Sequence, residues 1–323
     1  MGLEKPTLPT EPNAPEKSDV PEEPEVLVRR QGAAGRITLN RVGAHNALSG
    51  SMVATMRSAL AEFSASPSIA LVIIDSASPR VFCIGGDLDP VRTFVSQGNY
   101  IAALAHCRNE YDLDLGIADH PKPIVTLVDG LVMGGGIGIS CHASHPVITE
   151  RARLALPETG IGWVPDSGIN ALLAKAPGQA GKYLALTGTK IGAGDVLHMG
   201  FARYITNSNC ISDLVTALAH TGSTTVLADF AAPHPSSELA TMQSEIDRVF
   251  ANNDLTTIVT KLQVAAAGSW QANALRKIER NSRSACERAL EILTKIQSDM
   301  PLAETMDVEF SSIAEMIASP EFT

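Results

Sequence analysis

Aromatic side chains are scarce in this 323-residue chain: Phe, Tyr and Trp together make up 4%. The core must therefore rest on Ala, Leu, Ile and Val. The 45% hydrophobic content supplies enough of these for one or two domains. Basic charge is also short. Lys and Arg number 25 against 35 Asp and Glu, a net charge of −10. That excludes the broad basic face a nucleic-acid surface needs to displace counterions. An anionic small ligand is still admissible, because helix N-termini hold phosphates inside acidic proteins. Paired cysteines are missing: Cys83, Cys107, Cys141, Cys210 and Cys286 form an odd, widely spaced set without C-x-x-C. This argues against a disulfide framework or zinc site and for a reducing compartment. No apolar run reaches the ~20 residues of a membrane helix. The opening Met-Gly-Leu-Glu-Lys-Pro lacks both a signal-peptide core and the Ser/Thr of a myristoylation motif. Cytoplasm is the expected compartment. The eight histidines make no ligand pattern, so no metal is expected. Ser140 and Ser167 sit in no G-x-S-x-G elbow, which leaves a serine-hydrolase triad without support.

Residues 1–24 are rich in Pro and Glu and carry few large apolar side chains, the composition of a disordered tail. Strand candidates at Val26–Arg30 and Ile37–Asn40, separated by Gly32 and Gly35, predict a hairpin. Met52, Met56, Leu60 and Phe63 recur at helical spacing after Ser49, a ready N-cap. Ala70–Asp75 and Ile124–Val128 are unbroken apolar runs, as expected of strands buried on both faces, with a helix over Tyr100–Ala118 between them. Strands at His145–Ile148 and Arg153–Ala155 come next, then helices near Gly168–Ala176, Gly181–Leu186 and Asp195–Met199. The alternation predicts an α/β layered core over 25–206. From 207 to 323 strand signals fade. Helices are expected at Ser237–Phe250, Leu255–Ala267, Ser284–Gln297 and Leu302–Ile317.

Two glycine turns succeed the buried strands. Ile84-Gly85-Gly86-Asp87 comes after the first, and Gly134-Gly135-Gly136 after the second. Glycine lets the backbone take φ > 0 and lets a ligand approach the chain closely. Free N–H groups at the start of a helix suit an oxygen acquiring negative charge. The dinucleotide G-x-G-x-x-G spacing is absent here, and so is the P-loop Lys. A plain tight turn or close helix packing explains either turn alone, and their pairing is what points to a site. Leu156-Pro157-Glu158 and Pro165-Asp166 place two acids in apolar stretches, where desolvation disfavours the charged form and prepares an acid–base pair. For Asp166, capping of the next helix is the competing role.

Asn40-Arg41-x4-Asn46-Ala47-Leu48, Phe82-Cys83-Ile84-Gly85-Gly86-Asp87, Asp129-Gly130 with Met133-Gly134-Gly135-Gly136, and Leu156-Pro157-Glu158 resemble the crotonase superfamily of enoyl-CoA hydratases and isomerases. The resemblance covers about 26–206. It implies a ClpP/crotonase-like α/β spiral of ββα units, a helical C-terminal region and an acyl-CoA thioester substrate. It further implies an oxyanion hole from the N–H groups of Ile84 and Gly135. Three details are similar to the branch that hydrolyses 3-hydroxyisobutyryl-CoA in valine breakdown. Position 138 is Gly, where hydratases carry the first of two catalytic glutamates. Pro157-Glu158-Thr159-Gly160-Ile161-Gly162-x-x-Pro165-Asp166 is similar to the hydrolase Glu/Asp segment, and Arg108-Asn109-Glu110-Tyr111 to its Arg-Glu-Glu-Tyr helix motif.

By this resemblance Glu158 attacks the thioester or activates water, and Asp166 orients the substrate hydroxyl or assists proton transfer. Glu110, Gly85, Gly86, Asp87, His45, Ala47 and Gly134 are the expected substrate contacts. Ile84 stands where the family usually has Ala, but only the backbone donates there. No cofactor is expected, since coenzyme A is part of the substrate. No nucleic-acid or membrane partner is expected, and a homo-oligomer stays open. Two other readings also stay open: an enoyl-CoA hydratase or isomerase with Glu158 as single base, and a silent acyl-CoA-binding protein.

Overall fold

Around Gly32 the chain folds back on itself first. β1 (Val26–Gln31) and β2 (Ala34–Leu39) pair antiparallel, as the sequence predicts. Gly32 has φ +56, and a Cβ there would lie 2.3 Å from the Ala219 carbonyl oxygen, so only glycine closes this turn. The structure is a computed structural model and describes residues 23–319. The expected disordered tail over 1–24 therefore lies, apart from Glu23 and Pro24, outside the described residues.

α1 (Gly50–Ala65) starts where Ser49 accepts a hydrogen bond from the Met52 N–H, and it buries Met52, Met56, Leu60 and Phe63. β3 (Leu71–Ser76) lies parallel to β2. A short β4 (Val81–Cys83) then leaves for a second sheet, ahead of α2 (Asp89–Ser96) and α3 (Tyr100–Ala118). The same step recurs twice. β5 (Ile124–Val128) joins the first sheet and β6 (Leu131–Met133) the second, ahead of α4 (Gly135–Cys141). β7 (His145–Thr149) joins the first sheet and β8 (Arg153–Ala155) the second, ahead of a 3-10 turn over Glu158–Ile161. This is the expected α/β spiral.

α5 (Ile169–Lys175), α6 (Ala180–Thr187), β9 (Ile191–Gly192), α7 (Ala193–His198) and β10 (Tyr204–Thr206) complete the core. The first sheet runs β1-β2-β3-β5-β7-β10 and the second β4-β6-β8-β9. Of the second sheet only β8 is legible in the sequence, because three-residue strands carry no measurable alternation.

Every element after Thr206 among the described residues is helical: α8 (Ile211–Thr221), α9 (Glu238–Phe250), α10 (Leu255–Gln263), α11 (Trp270–Arg280), α12 (Arg283–Lys295) and α13 (Leu302–Ile317). α10 stops four residues short of the expected end, and α8 and α11 have no counterpart among the expected helices. These helices share the core rather than forming one of their own. Ile246, Phe250 and Ile258 pack into the cluster that holds Leu39, Phe63 and Ile74, while Met306 and Ile313 close over Tyr111 and Trp163.

The step from β5 to β6 depends on Gly130. Its φ is +106, and a Cβ would meet the Arg80 carbonyl oxygen at 2.1 Å, the same oxygen that accepts from Leu131 N at 2.9 Å. Gly130→Ala is therefore expected to destabilise the fold by at least ~2 kcal/mol, from backbone strain plus overlap. Denaturant melts of the two proteins check this; an unchanged midpoint would contradict it.

Candidate active site

β4, β6 and β8 are parallel neighbours and all end at one edge of the second sheet. The segment leaving each strand is thereby brought to that edge: Ile84-Gly85-Gly86 after β4, Gly134-Gly135 after β6, and Pro157-Glu158 after β8. The two glycine turns touch. A Cβ on Gly85, at φ +102, would lie 3.1 Å from the Gly135 nitrogen. Gly135 opens α4, so its N–H has no carbonyl within the helix to bond.

The Asn40–Leu48 motif braces the first turn. The Asn46 side chain donates to the Phe82 carbonyl at 2.8 Å, and Leu48 N donates to the Gly85 carbonyl at 2.8 Å. Asp87 N in turn donates to the Leu48 carbonyl at 3.0 Å. Arg41 reaches both Asp87, at 2.8 Å, and Glu25, at 2.9 Å.

α3 crosses over this edge and lowers Glu110 onto it. The Glu110 carboxyl occupies the space that side chains at Gly86 and Gly135 would need. A Cβ would meet Oε2 at 2.4 Å from the first and Oε1 at 1.9 Å from the second. Asp166 arrives on the loop before α5, where Trp163 Nε1 donates to its Oδ2 at 3.1 Å. These groups line a cavity of about 90 Å³ that opens to solvent. Ile84, Gly85, Gly86, Asp87, Glu110, Gly134, Gly135, Glu158 and Asp166 all line it. His45 and Ala47, expected among the substrate contacts, do not: His45 is exposed at the left-handed end of the turn after Arg41, and the Ala47 carbonyl accepts from Arg41. The cavity wall also includes Val91, His106, Cys107, Tyr111 and Trp163, which the sequence did not single out.

Glu158 is buried, and neither carboxyl oxygen has a hydrogen-bond partner among the described residues. Burial, with Asp166 adding repulsion, pushes its pKa up to about 8. Burial raises Asp166 to about 7, against the pull of the Trp163 hydrogen bond and the nearby Tyr111 hydroxyl. Glu110 rises to about 8 through burial and the nearby Asp166. No Lys or Arg lines the cavity among the described residues. At neutral pH the site therefore holds protons that exposed carboxylates would have lost.

Two further buried acids stand behind the wall. Glu309 of α13 accepts from Gly168 and Asn170. Asp114, one helical turn beyond Glu110, is fully buried with both oxygens unpartnered by hydrogen-bond geometry, although the Ser167 hydroxyl lies near enough to favour its charged form. Asp114 packs on Gly138, where a Cβ would meet its Oδ1 at 2.9 Å. The i, i+4 spacing of Glu110 and Asp114 was the one signal in the sequence that could have found it.

Residues 34–323 match the model of the enoyl-CoA hydratase/isomerase family. The chain is 30% identical over 277 residues to a probable 3-hydroxyisobutyryl-CoA hydrolase 3 of Arabidopsis thaliana, covering 82% of this chain and 73% of that protein. It is 41% identical over 184 residues to the mitochondrial 3-hydroxyisobutyryl-CoA hydrolase of Rattus norvegicus, covering 57% of this chain and 48% of that one. The chain thus spans about three quarters of the plant relative and about half of the rat relative. Among solved structures, an enoyl-CoA hydratase from Rhodobacter sphaeroides superposes with a TM-score of 0.86 at 37% identity, over 93% of this chain and 87% of that one.

Asp114 generates a stability prediction. Burial, then the neighbouring Glu110, Asp166 and Glu309, hold its pKa well above the usual range. A folded-state pKa raised in this way leaves stability undiminished below the unfolded value near ~4 and erodes it as pH rises. Asp114→Asn keeps the shape and has no proton to lose. It is expected to raise Tm at pH 8, with the gain vanishing toward pH 4. Thermal melts across that range check it; a gain independent of pH would contradict it.

Proposed function

Since the chain belongs to the enoyl-CoA hydratase/isomerase family, we propose that it hydrolyses a short branched 3-hydroxyacyl-CoA thioester, 3-hydroxyisobutyryl-CoA in the first instance. The observation that carries the reading is the meeting of Glu158 and Asp166 in one cavity with the two glycine turns, while α4 contributes no carboxyl because position 138 is glycine. Hydration by a pair of glutamates would need a second acid on that helix. The names of the Arabidopsis and rat relatives support the same substrate.

In this reading the thioester oxygen lies between the N–H groups of Ile84 and Gly135. Each such donor is worth ~3–4 kcal/mol to the developing oxyanion. Either the Glu158 carboxylate attacks the carbonyl carbon, expelling the coenzyme A thiolate and leaving a mixed anhydride that water then hydrolyses, or it takes a proton from a water that attacks the carbonyl carbon as the thiolate leaves. In both cases the proton released by that water ends on the coenzyme A thiolate. Asp166, held by Trp163, orients the 3-hydroxyl or assists the proton transfer between water and the leaving thiolate. Glu110, mostly protonated at neutral pH, closes the acyl end of the cavity beside Tyr111 and Cys107. The small volume favours a short acyl group. The five unpaired thiols fit a reducing compartment, cytoplasm in the first instance; the rat relative's printed name places that protein in mitochondria.

Glu158→Gln tests the assignment directly. Release of free CoA from 3-hydroxyisobutyryl-CoA, read with a thiol reagent, is expected to fall to background while acyl-CoA binding persists. Full activity in the variant would remove Glu158 from the mechanism. Wild-type protein that binds the thioester without releasing CoA would favour a hydratase, an isomerase or a silent binder.

The pKa shifts predict the pH dependence. Both carboxylates work in their ionised form, and their protons leave near pH 7 and 8. kcat/KM is therefore expected to rise with pH through that interval. A limb below pH 5 would show that the acids titrate as exposed ones do.

A further inference from the structure

The loop that delivers Asp166 has a backbone that serine seldom adopts. Ser167 has φ +56 and Gly168 φ +73, two consecutive left-handed residues immediately after Asp166. Glycine takes this conformation freely, whereas a side chain bearing a Cβ takes it only under external constraint. The constraint comes from far along the chain. Glu309 of α13, fully buried, accepts from Gly168 N at 2.8 Å with one oxygen. Its other oxygen accepts from Asn170 N at 3.1 Å and from Asn170 Nδ2 at 2.9 Å. Asn170 Nδ2 also donates to the Pro165 carbonyl at 2.6 Å. The bonds therefore grip the chain on both sides of Asp166. His142 Nε2, 3.1 Å from the Ser167 carbonyl, holds the same turn from α4's end. A carbonyl only accepts, so the proton sits on Nε2.

We propose that Glu309 is a positioning residue for the reaction: it holds the left-handed Ser167-Gly168 turn and so aims the Asp166 carboxyl into the cavity. This makes the C-terminal helix part of the working site rather than a cover. The proposal rests on the hydrolase reading for the role of Asp166, but the geometry it asserts is independent of the substrate.

The experiment uses the full chain with Trp270→Phe, which leaves Trp163 as the one tryptophan of the two in the sequence. Trp163 touches Asp166 directly, so its emission reports where that carboxyl sits. In Glu309→Gln an NH2 replaces one of the two accepting oxygens and faces an N–H already present, so one arm of the grip is lost. The expected result is a changed Trp163 emission and a kcat lowered by roughly 10- to 100-fold, as for a displacement of about 1 Å, with KM nearly unchanged. Adding Ser167→Gly should restore the emission and most of the lost kcat, because glycine adopts the left-handed turn without strain and the remaining bonds then suffice to keep it; Ser167→Gly alone sets the reference. Unchanged emission and kcat in Glu309→Gln overturn the proposal. So does a loss that Ser167→Gly fails to recover, since that is what mere anchoring of α13 predicts. Should Glu309→Gln not fold, Glu309→Asp shortens the side chain by one methylene, so its oxygens no longer reach Gly168 N and Asn170 N together; unchanged emission and kcat there overturn it equally. A spectral change with rescue, but no CoA release from the thioester by any variant or by wild type, upholds the positioning and overturns the hydrolase reading instead.

Discussion

The contact between two glycine turns is the constraint on which the rest of the site depends. Gly85 and Gly86 meet Gly134 and Gly135 at backbone distance, and the Glu110 carboxyl fills the space that side chains at 86 and 135 would take. A Cβ at position 86 or 135 would displace the acid, and one at 85 would press on the opposing turn. The parallel pairing of β4, β6 and β8 sets that approach, and Arg41, Asn46 and Leu48 hold it. Conformational freedom at a few residues thus fixes where every reacting group can stand.

Around that contact stand five carboxyls: Asp114, Glu158 and Glu309 are buried, and Glu110 and Asp166 are partly buried at the cavity wall. Burial lifts all five, and no lysine or arginine lines the cavity among the described residues. Few of them can be ionised together, because like charges in low dielectric repel strongly. Burial is the leading cause in each: it brings Asp166 to about 7 and Glu158 and Glu309 to about 8, the last even though Glu309 accepts from Gly168 and Asn170. The desolvation that makes Glu158 reluctant to ionise also leaves its carboxylate poorly solvated once formed, which suits a nucleophile or base.

Much of the first sheet was legible. Leu71–Ser76 and Ile124–Val128 are buried on both faces, and an unbroken apolar run is what such burial demands. The helix at Tyr100–Ala118 was bounded by its own signals, Asn99 accepting at the start and Pro121 beyond the end. α2, α8 and α11 escaped notice, as did β4, β6, β9 and β10, the strands too short to show a period. In the site, Glu158 and the glycine turns stood out because an acid among apolar residues and repeated glycines are unusual locally. Asp114 and Glu309 did not, since an acid on a helix looks the same in sequence whether water or another helix covers it.

The sequence by itself determined the glycines, the two loop acids and the resemblance that joins them to acyl-CoA chemistry, because backbone freedom and side-chain type are local properties. Only the tertiary structure decided that those turns touch, that Glu110 fits between them and that His45 and Ala47 stand outside the cavity. It alone placed Glu309 on the Asp166 loop, 141 residues away along the chain from the Gly168 it holds. Strand register and helix packing set such distances, and both depend on contacts between segments that no local pattern records.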